Sequence, residues 1–183
     1  MPDVKAVRFI IEPFDPARND RTAFSCGIEQ VDNYFRKTAN KLVKADNVRL
    51  YVMTAQDGAV VGFYSVNAHS VDYQDLPKRF ERARPSHGNI PAAYISMIGR
   101  DERYRGHRYG GVLLIDALTR IADAADSLGI AIVMLDVLDC GDPERVTRRK
   151  ALYEEFGFIP LQSDPLRMYL PLTTVRQLLA EAD

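Results

Sequence analysis

The sequence is poor in the features that mark several large classes of protein. It has two cysteines, Cys26 and Cys140. That is too few for a disulfide scaffold, and both are expected as reduced thiols in a cytoplasmic protein. Its three histidines, His69, His87 and His107, share no constellation along the chain. There is no His-x-x-x-His, no Cys-x-x-Cys and no calcium-loop pattern, so no metal site is expected. Charge of one sign is lacking as well. Lysine plus arginine number 24 and aspartate plus glutamate 25, a net charge of −1, so no global field favours nucleic acid or a membrane surface. The longest apolar run, Ile130–Leu135, is far too short to span a bilayer. No apolar run follows a basic start, so no signal peptide is expected. No repeat, low-complexity stretch or linker divides the 183 residues, which read as one domain, 1–183. With 46% apolar residues the chain can bury an ordinary core.

What is present alternates between the two periodicities. Val7–Phe14 is β-branched and aromatic and stops at Pro and Asp, which predicts an opening strand. Ile28, Val31, Phe35 and Leu42 recur at helical spacing and predict an amphipathic helix from about residue 28 to 44. Two β-prone runs flank Gln56-Asp57-Gly58 and predict a hairpin. Lys78, Arg79, Arg82 and Arg84 suggest a short helix ending at Pro85, and Pro91–Gly99 reads as a strand. In the helix that follows, Leu114, Ala117, Leu118, Ile121, Ala125 and Leu128 form the expected buried stripe, with Gly129 as its stop. Ile130–Leu138 is a continuous apolar run, as in a strand buried on both faces. Pro143 opens a helix and Gly157 closes it. Two short strands and a last helix, with Thr174 and Gln177 as a capping box, complete the chain. This order predicts an α/β protein with a mixed sheet and helices on both faces.

The stretch Arg100–Leu128 carries the chemistry. A strand runs into a basic, glycine-bearing loop and then into a helix start. The first turn of a helix has unpaired N–H groups and a positive dipole end, and glycines let an anion approach the backbone. Arg100, Arg103, Arg105 and Arg108 add side-chain charge, partly offset by Asp101 and Glu102. No Gly-Lys-Ser/Thr follows, so this is not the P-loop of nucleotide hydrolases, and the glycine spacing is not the dinucleotide fingerprint.

The loop resembles the acyl-CoA pyrophosphate loop of the GNAT N-acetyltransferases, Gln/Arg-x-x-Gly-x-Gly/Ala, through Arg103, Gly106 and the later Gly110. Arg108 departs from it, standing where the family has Gly or Ala. ALYEEFGF, residues 151–158, is similar to the GNAT segment Ala-x-x-Tyr-x-x-x-Gly-Phe through Tyr153, Gly157 and Phe158. The phrase FSCGIEQVDNYFRKTANK, Phe24–Lys41, resembles one near the start of the GNAT toxins of bacterial toxin–antitoxin pairs. The resemblance implies the GNAT fold, a central, mostly antiparallel mixed sheet flanked by helices. It also implies acetyl-CoA as co-substrate and transfer of the acetyl group to the amino group of an aminoacyl-tRNA, which blocks translation. A small ribbon-helix-helix antitoxin is the implied partner, and homodimeric assembly is a further expectation.

Residue by residue, Arg103, Arg105, Gly106, His107, Arg108, Tyr109, Gly110 and Gly111 would hold the pyrophosphate. Backbone groups of Ile98, Gly99 and Arg100 would pair with the pantetheine arm, one N–H facing the thioester oxygen. Tyr153 would be the general acid. A phenol of pKa near ~10 is protonated at neutral pH and can protonate a leaving thiolate. No general base stands out. An α-amine titrates near ~7.7–8.0, against ~10.4 for lysine, so an α-amine acceptor needs the least help. Two other readings remain open at this point: a GNAT acting on a small-molecule or protein amine, and an acetyl-CoA-binding variant impaired at Arg108. Crowding of the loop by that side chain is expected to outweigh its charge.

Overall fold

The computed structural model describes residues 8–182. Among them a seven-stranded sheet forms, in the order β1-β2-β3-β4-β5-β7-β6. Its strands are β1 (Phe9–Pro13), β2 (Arg49–Ala55), β3 (Val60–Asp72), β4 (Asn89–Arg100), β5 (Ile132–Asp136), β6 (Ile159–Pro160) and β7 (Arg167–Pro171). The helices are α1 (Glu29–Asn33), α2 (Ala39–Lys44), α3 (Tyr109–Ala125), α4 (Pro143–Glu155) and α5 (Leu172–Ala182). β1–β2, β5–β7 and β6–β7 pair antiparallel, and β4–β5 pairs parallel. The parallel pair β4–β5 is connected by α3, the kind of crossover that parallel strands require. This is the mixed, helix-flanked sheet expected from the order of elements.

The chain forms two compact units. The first contains the described residues up to Ser65 together with Met97–Leu114. Its core is aromatic: Phe35 stacks on Phe63 at 4.2 Å between centroids, and Phe24 meets both edge-on at 5.0 and 5.4 Å. The helix expected over 28–44 is present but is interrupted by a π-helical turn, Tyr34–Thr38, between α1 and α2. A wider turn releases backbone carbonyls from the helical ladder. The Phe35 carbonyl accepts from Arg21 Nη1 at 2.9 Å, so the bulge is satisfied from outside the helix. Hydrophobic spacing alone could not distinguish a continuous helix from one with an inserted π turn.

The second unit contains Val66–Ser96 and the described residues from Ile115 onward. One of its clusters packs Val71, Leu76, Ile90, Ala92, Ile132, Met134, Leu161 and Tyr169, all buried. α4 opens at Pro143 and ends before Gly157, as expected. Asp142 accepts from the N–H groups of Glu144 and Arg145, Pro143 takes the first turn, and Gly157 follows the helix at φ +93°.

Four expectations are corrected here. The segment around Lys78–Arg84 forms two short 3₁₀ turns, Tyr73–Asp75 and Lys78–Phe80, instead of a helix running to Pro85. α3 ends at Ala125, so Leu128 falls beyond the buried stripe and is 62% exposed. The stop is therefore made before Gly129. α5 begins at Leu172, directly from β7, and Thr174 lies inside its first turn, not at the cap. β5 is shorter than the apolar run around it, because its paired register with β7 closes at Asp136–Arg167.

Candidate active site

The parallel register of β4 with β5 runs from Ala92–Ile132 to Ile95–Leu135 and stops, while β4 continues to Arg100. Ile98, Gly99 and Arg100 therefore lie on the part of β4 beyond that register. Gly99 is glycine for a packing reason. A Cβ there would stand 2.8 Å from Val31 Cγ1 and 3.0 Å from Phe63 Cε1. The toxin-like phrase thus sits directly on the end of β4, and no larger residue fits between them.

The loop that follows is built around Asp101, which is 1% exposed. Its carboxylate accepts from the Arg103 N–H and Nε at 2.9 Å each, from Arg103 Nη2 at 3.0 Å and from the Ser25 N–H at 3.2 Å. Burial pushes this carboxyl up, but the hydrogen bonds from Arg103 and Ser25 outweigh it and hold the pKa below the ordinary carboxylate value. A second buried carboxylate, Asp32, accepts from the Cys26 N–H at 2.8 Å and the Ser25 hydroxyl at 3.2 Å. Gly27, at φ +80°, supplies the turn between them. Arg36 closes the phrase by donating to the Phe24 carbonyl. The sequence signal for this hub is the phrase itself. Along the chain Asp101 reads only as a charge offset to its arginine neighbours, and nothing local marks it as buried.

The arginines of the loop are not equivalent. Arg103 is held bidentately by Asp101, and Arg105 pairs with Glu102 at 2.5 Å. Arg100 is half-buried, and burial, then the nearby Arg105 charge, lowers its pKa. Arg108 is exposed and adopts φ +57°, a left-handed conformation in a residue with a Cβ. Its carbonyl accepts from Gly111 and Val112 as α3 begins. Gly106 has φ +84°, and a Cβ there would meet no atom within 4 Å. The loop therefore offers an open glycine face beside a helix N-terminus, with Tyr109, Gly110 and Gly111 in the first turn. A helix N-terminus beside an open glycine is an arrangement that an anion can approach. His107 is exposed and its ring stacks on buried Tyr109 at 5.4 Å. Arg103 and Arg105, expected to help hold the pyrophosphate, each pair with one of the two carboxylates expected to offset them in part, Asp101 and Glu102.

Tyr153 lies on α4 in the second unit, 3% exposed, with Phe158 6.0 Å away between ring centroids. Burial pushes its phenol pKa up, opposed in part by Arg149. A buried phenol stays protonated at neutral pH, the form a general acid needs.

Sequence reasoning missed a second polar group in that unit. The Tyr94 hydroxyl donates to Asp136 Oδ2 at 2.6 Å, and Arg167 donates to the same carboxylate from Nε at 2.7 Å and Nη2 at 2.9 Å. The His69 ring lies 5.2 Å from that of Tyr94. Burial and then Asp136 push Tyr94 up to about 12, with Arg167 opposing. Burial raises the Asp136 carboxyl, but Arg167 and Tyr94 outweigh it and hold its pKa low. The one hint in the chain is a carboxylate ending an apolar strand. His87 stays local, its Nδ1 accepting from the Asn89 N–H at 3.2 Å.

Comparison with known proteins places this arrangement. No family model matches the chain. A probable toxin TacT of Sinorhizobium fredii is 64% identical over 98% of this chain and 99% of its own length. A tRNA-acetylating toxin of Mycobacterium tuberculosis is 32% identical over 89% of this chain and 92% of its own. Among solved structures, AtaT complexed with acetyl-methionyl-tRNAfMet covers 94% of this chain and 99% of its own at a TM-score of 0.82 and 21% identity. AtaTR bound with AcCoA covers 93% and 98% at a TM-score of 0.76 and 22% identity. These neighbours share the fold. By its identity with these relatives over most of both chains, the chain belongs to the GNAT family of tRNA-acetylating toxins.

Proposed function

We propose that this protein, acting as one domain over residues 1–183, moves the acetyl group of acetyl-CoA to the α-amino group of an aminoacyl-tRNA and so blocks translation. The observation that carries the reading is Tyr153, buried in the ALYEEFGF segment of a chain 32% identical to a tRNA-acetylating toxin. Its site of action is then the cytoplasm, where charged tRNA is found; no helix among the described residues is long and apolar enough to cross a membrane. A small DNA-binding antitoxin is the expected partner.

In this reading the Gly106–Gly111 segment and the start of α3 hold the pyrophosphate, and Arg108 is the loop arginine free to reach it. Backbone groups of Ile98–Arg100 hold the pantetheine arm, and one N–H meets the thioester oxygen as it gains charge. Such a donor is fixed before the charge develops, which makes it effective. The amine nitrogen forms a bond to the carbonyl carbon and the carbon–sulfur bond breaks. Tyr153 gives its proton to the departing sulfur, and the proton lost by the amine goes to solvent and restores the phenol. The products are an amide and free CoA thiol. No strong base is required, because an α-amine is partly neutral near pH 7.

The test is mass spectrometry of charged tRNA incubated with acetyl-CoA and the protein. The expected result is a single added acetyl group on the aminoacyl moiety. Tyr153→Phe should slow that transfer about 10²–10⁴-fold with acetyl-CoA affinity little changed. Charged tRNA left unmodified by an enzyme that acetylates another amine would refute the acceptor assignment. An unchanged turnover number in the phenylalanine variant would remove Tyr153 from the mechanism.

A further inference from the structure

The acceptor side of the reaction still lacks an assigned protein group. We propose that Tyr94 Oη accepts an N–H of the incoming amine and that Asp136 and Arg167 are positioning residues that aim it. The proposal rests on the acetyltransferase reading above.

The geometry leaves the phenol one role. A hydroxyl has one proton to donate and two lone pairs to accept with. The proton of Tyr94 is committed to Asp136 Oδ2 at 2.6 Å. Asp136 is fixed in turn by a two-pronged bond from Arg167, at 2.7 and 2.9 Å, so the carboxylate cannot rotate away. The phenol oxygen is thus turned into an oriented acceptor. With its pKa pushed up to about 12, Tyr94 also stays neutral across the working range.

Charge balance selects the reactive form of the substrate. A lone carboxylate would attract an ammonium ion, which has no lone pair with which to attack. Here the carboxylate and the guanidinium cancel, and the group proposed to meet the amine is a neutral oxygen. That favours the neutral amine, and a neutral amine has an N–H to donate. The cluster is also accessible. The Asp136 and Arg167 side chains keep 35% and 38% of their surface exposed, while Ile132, Met134 and Tyr169 on the same two strands are buried. Tyr94 and Asp136 flank the last pair of the parallel register, Ile95–Leu135, where β4 and β5 cease to pair. The exposed His69 ring covers one side of the Tyr94 ring, tilted by 32°.

Steady-state kinetics of the full chain with two acceptors, charged tRNA and methionine methyl ester, test the proposal. Tyr94→Phe keeps the ring and removes the oxygen. It should raise the acceptor KM about tenfold, as expected for one lost hydrogen bond, while kcat and the acetyl-CoA KM stay within about twofold. Asp136→Asn keeps the shape but lets an amide N–H compete for the phenol oxygen, and it should raise the acceptor KM by a smaller factor. An unchanged acceptor KM in both variants, whatever their melting temperatures, would show that the cluster only braces the sheet. A fall in kcat alone, or an equal rise in both KM values, would also overturn the assignment. If the wild type acetylates the ester but not charged tRNA, the tRNA reading fails, and the role of Tyr94 is then decided by the ester KM.

Discussion

At Arg108 the family position and the structure bear on different properties of one side chain. That position predicts that crowding outweighs charge, on the ground that Arg103 and Arg105 already supply cations. All three arginines are exposed, but Arg103 and Arg105 each pair with a carboxylate, Asp101 and Glu102. The backbone cost of Arg108 is nonetheless present, because φ +57° disfavours any residue with a Cβ by roughly 1–2 kcal/mol. The two effects therefore act on different observables. Arg108→Gly should raise stability, by about 0.5–1 kcal/mol once the greater freedom of glycine in the unfolded chain is subtracted. The same change should weaken acetyl-CoA binding about five- to tenfold through loss of a charge-assisted phosphate contact. Thermal unfolding and isothermal titration of the two forms measure these separately. Tighter binding by the glycine form would restore the crowding argument.

At the scale of elements, the loop between β4 and α3 depends on one buried carboxylate, that of Asp101. Asp101 ties Ser25 of the toxin-like phrase to Arg103 of the loop, and Gly99 lets Val31 and Phe63 close onto the strand just before it. Asp101→Asn keeps the volume but loses the charge-assisted pair, a change worth about 1–3 kcal/mol at a buried acceptor. It should weaken acetyl-CoA affinity as the loop loosens. The linkage has a definite sign. The folded-state pKa of Asp101 lies below its ordinary value near ~3.9. Its stabilisation is therefore complete above about pH 4 and is lost as pH falls through the folded-state pKa. The wild type should lose more stability than the asparagine variant over that acid range. Parallel pH–stability curves for the two would refute the role assigned to this carboxylate.

For the whole molecule, formal charge is a poor guide to partners. A balance of −1 gives no reason to expect nucleic acid. Yet exposed Lys37, Lys41 and Lys44 on one segment, and exposed Lys78, Arg79, Arg82 and Arg84 on another, are local basic groups that a phosphate backbone can use. Expression of the active chain in a bacterium should halt translation and growth. The Tyr153→Phe form should not, and co-expression of a cognate antitoxin should restore growth. Growth unaffected by a chain shown to be active in vitro would count against the toxin assignment.

Much of this protein is determined locally, and those parts are readable in the sequence. α4 has its Asp142 cap, its Pro143 and its terminal Gly157 in order along the chain, so its bounds follow from neighbours in sequence. The same holds for the hairpin strands around Asp57-Gly58 and for the glycine loop before α3. Tyr153 can be proposed because a phenol at a fixed offset from Gly157 and Phe158 is a local pattern. Tertiary structure decided everything that depends on residues distant in sequence. The π turn at Tyr34–Thr38 is satisfied by Arg21, and Leu128 is exposed because α3 ends a turn early. Asp101 is a hub and not a charge offset because Ser25, far back in the chain, donates to it. Tyr94, Asp136 and Arg167 come from three strands, and each alone reads as an ordinary strand residue. Periodicity and capping record contacts within a few residues, whereas a hydrogen-bonded cluster across strands exists only once the sheet has set their register.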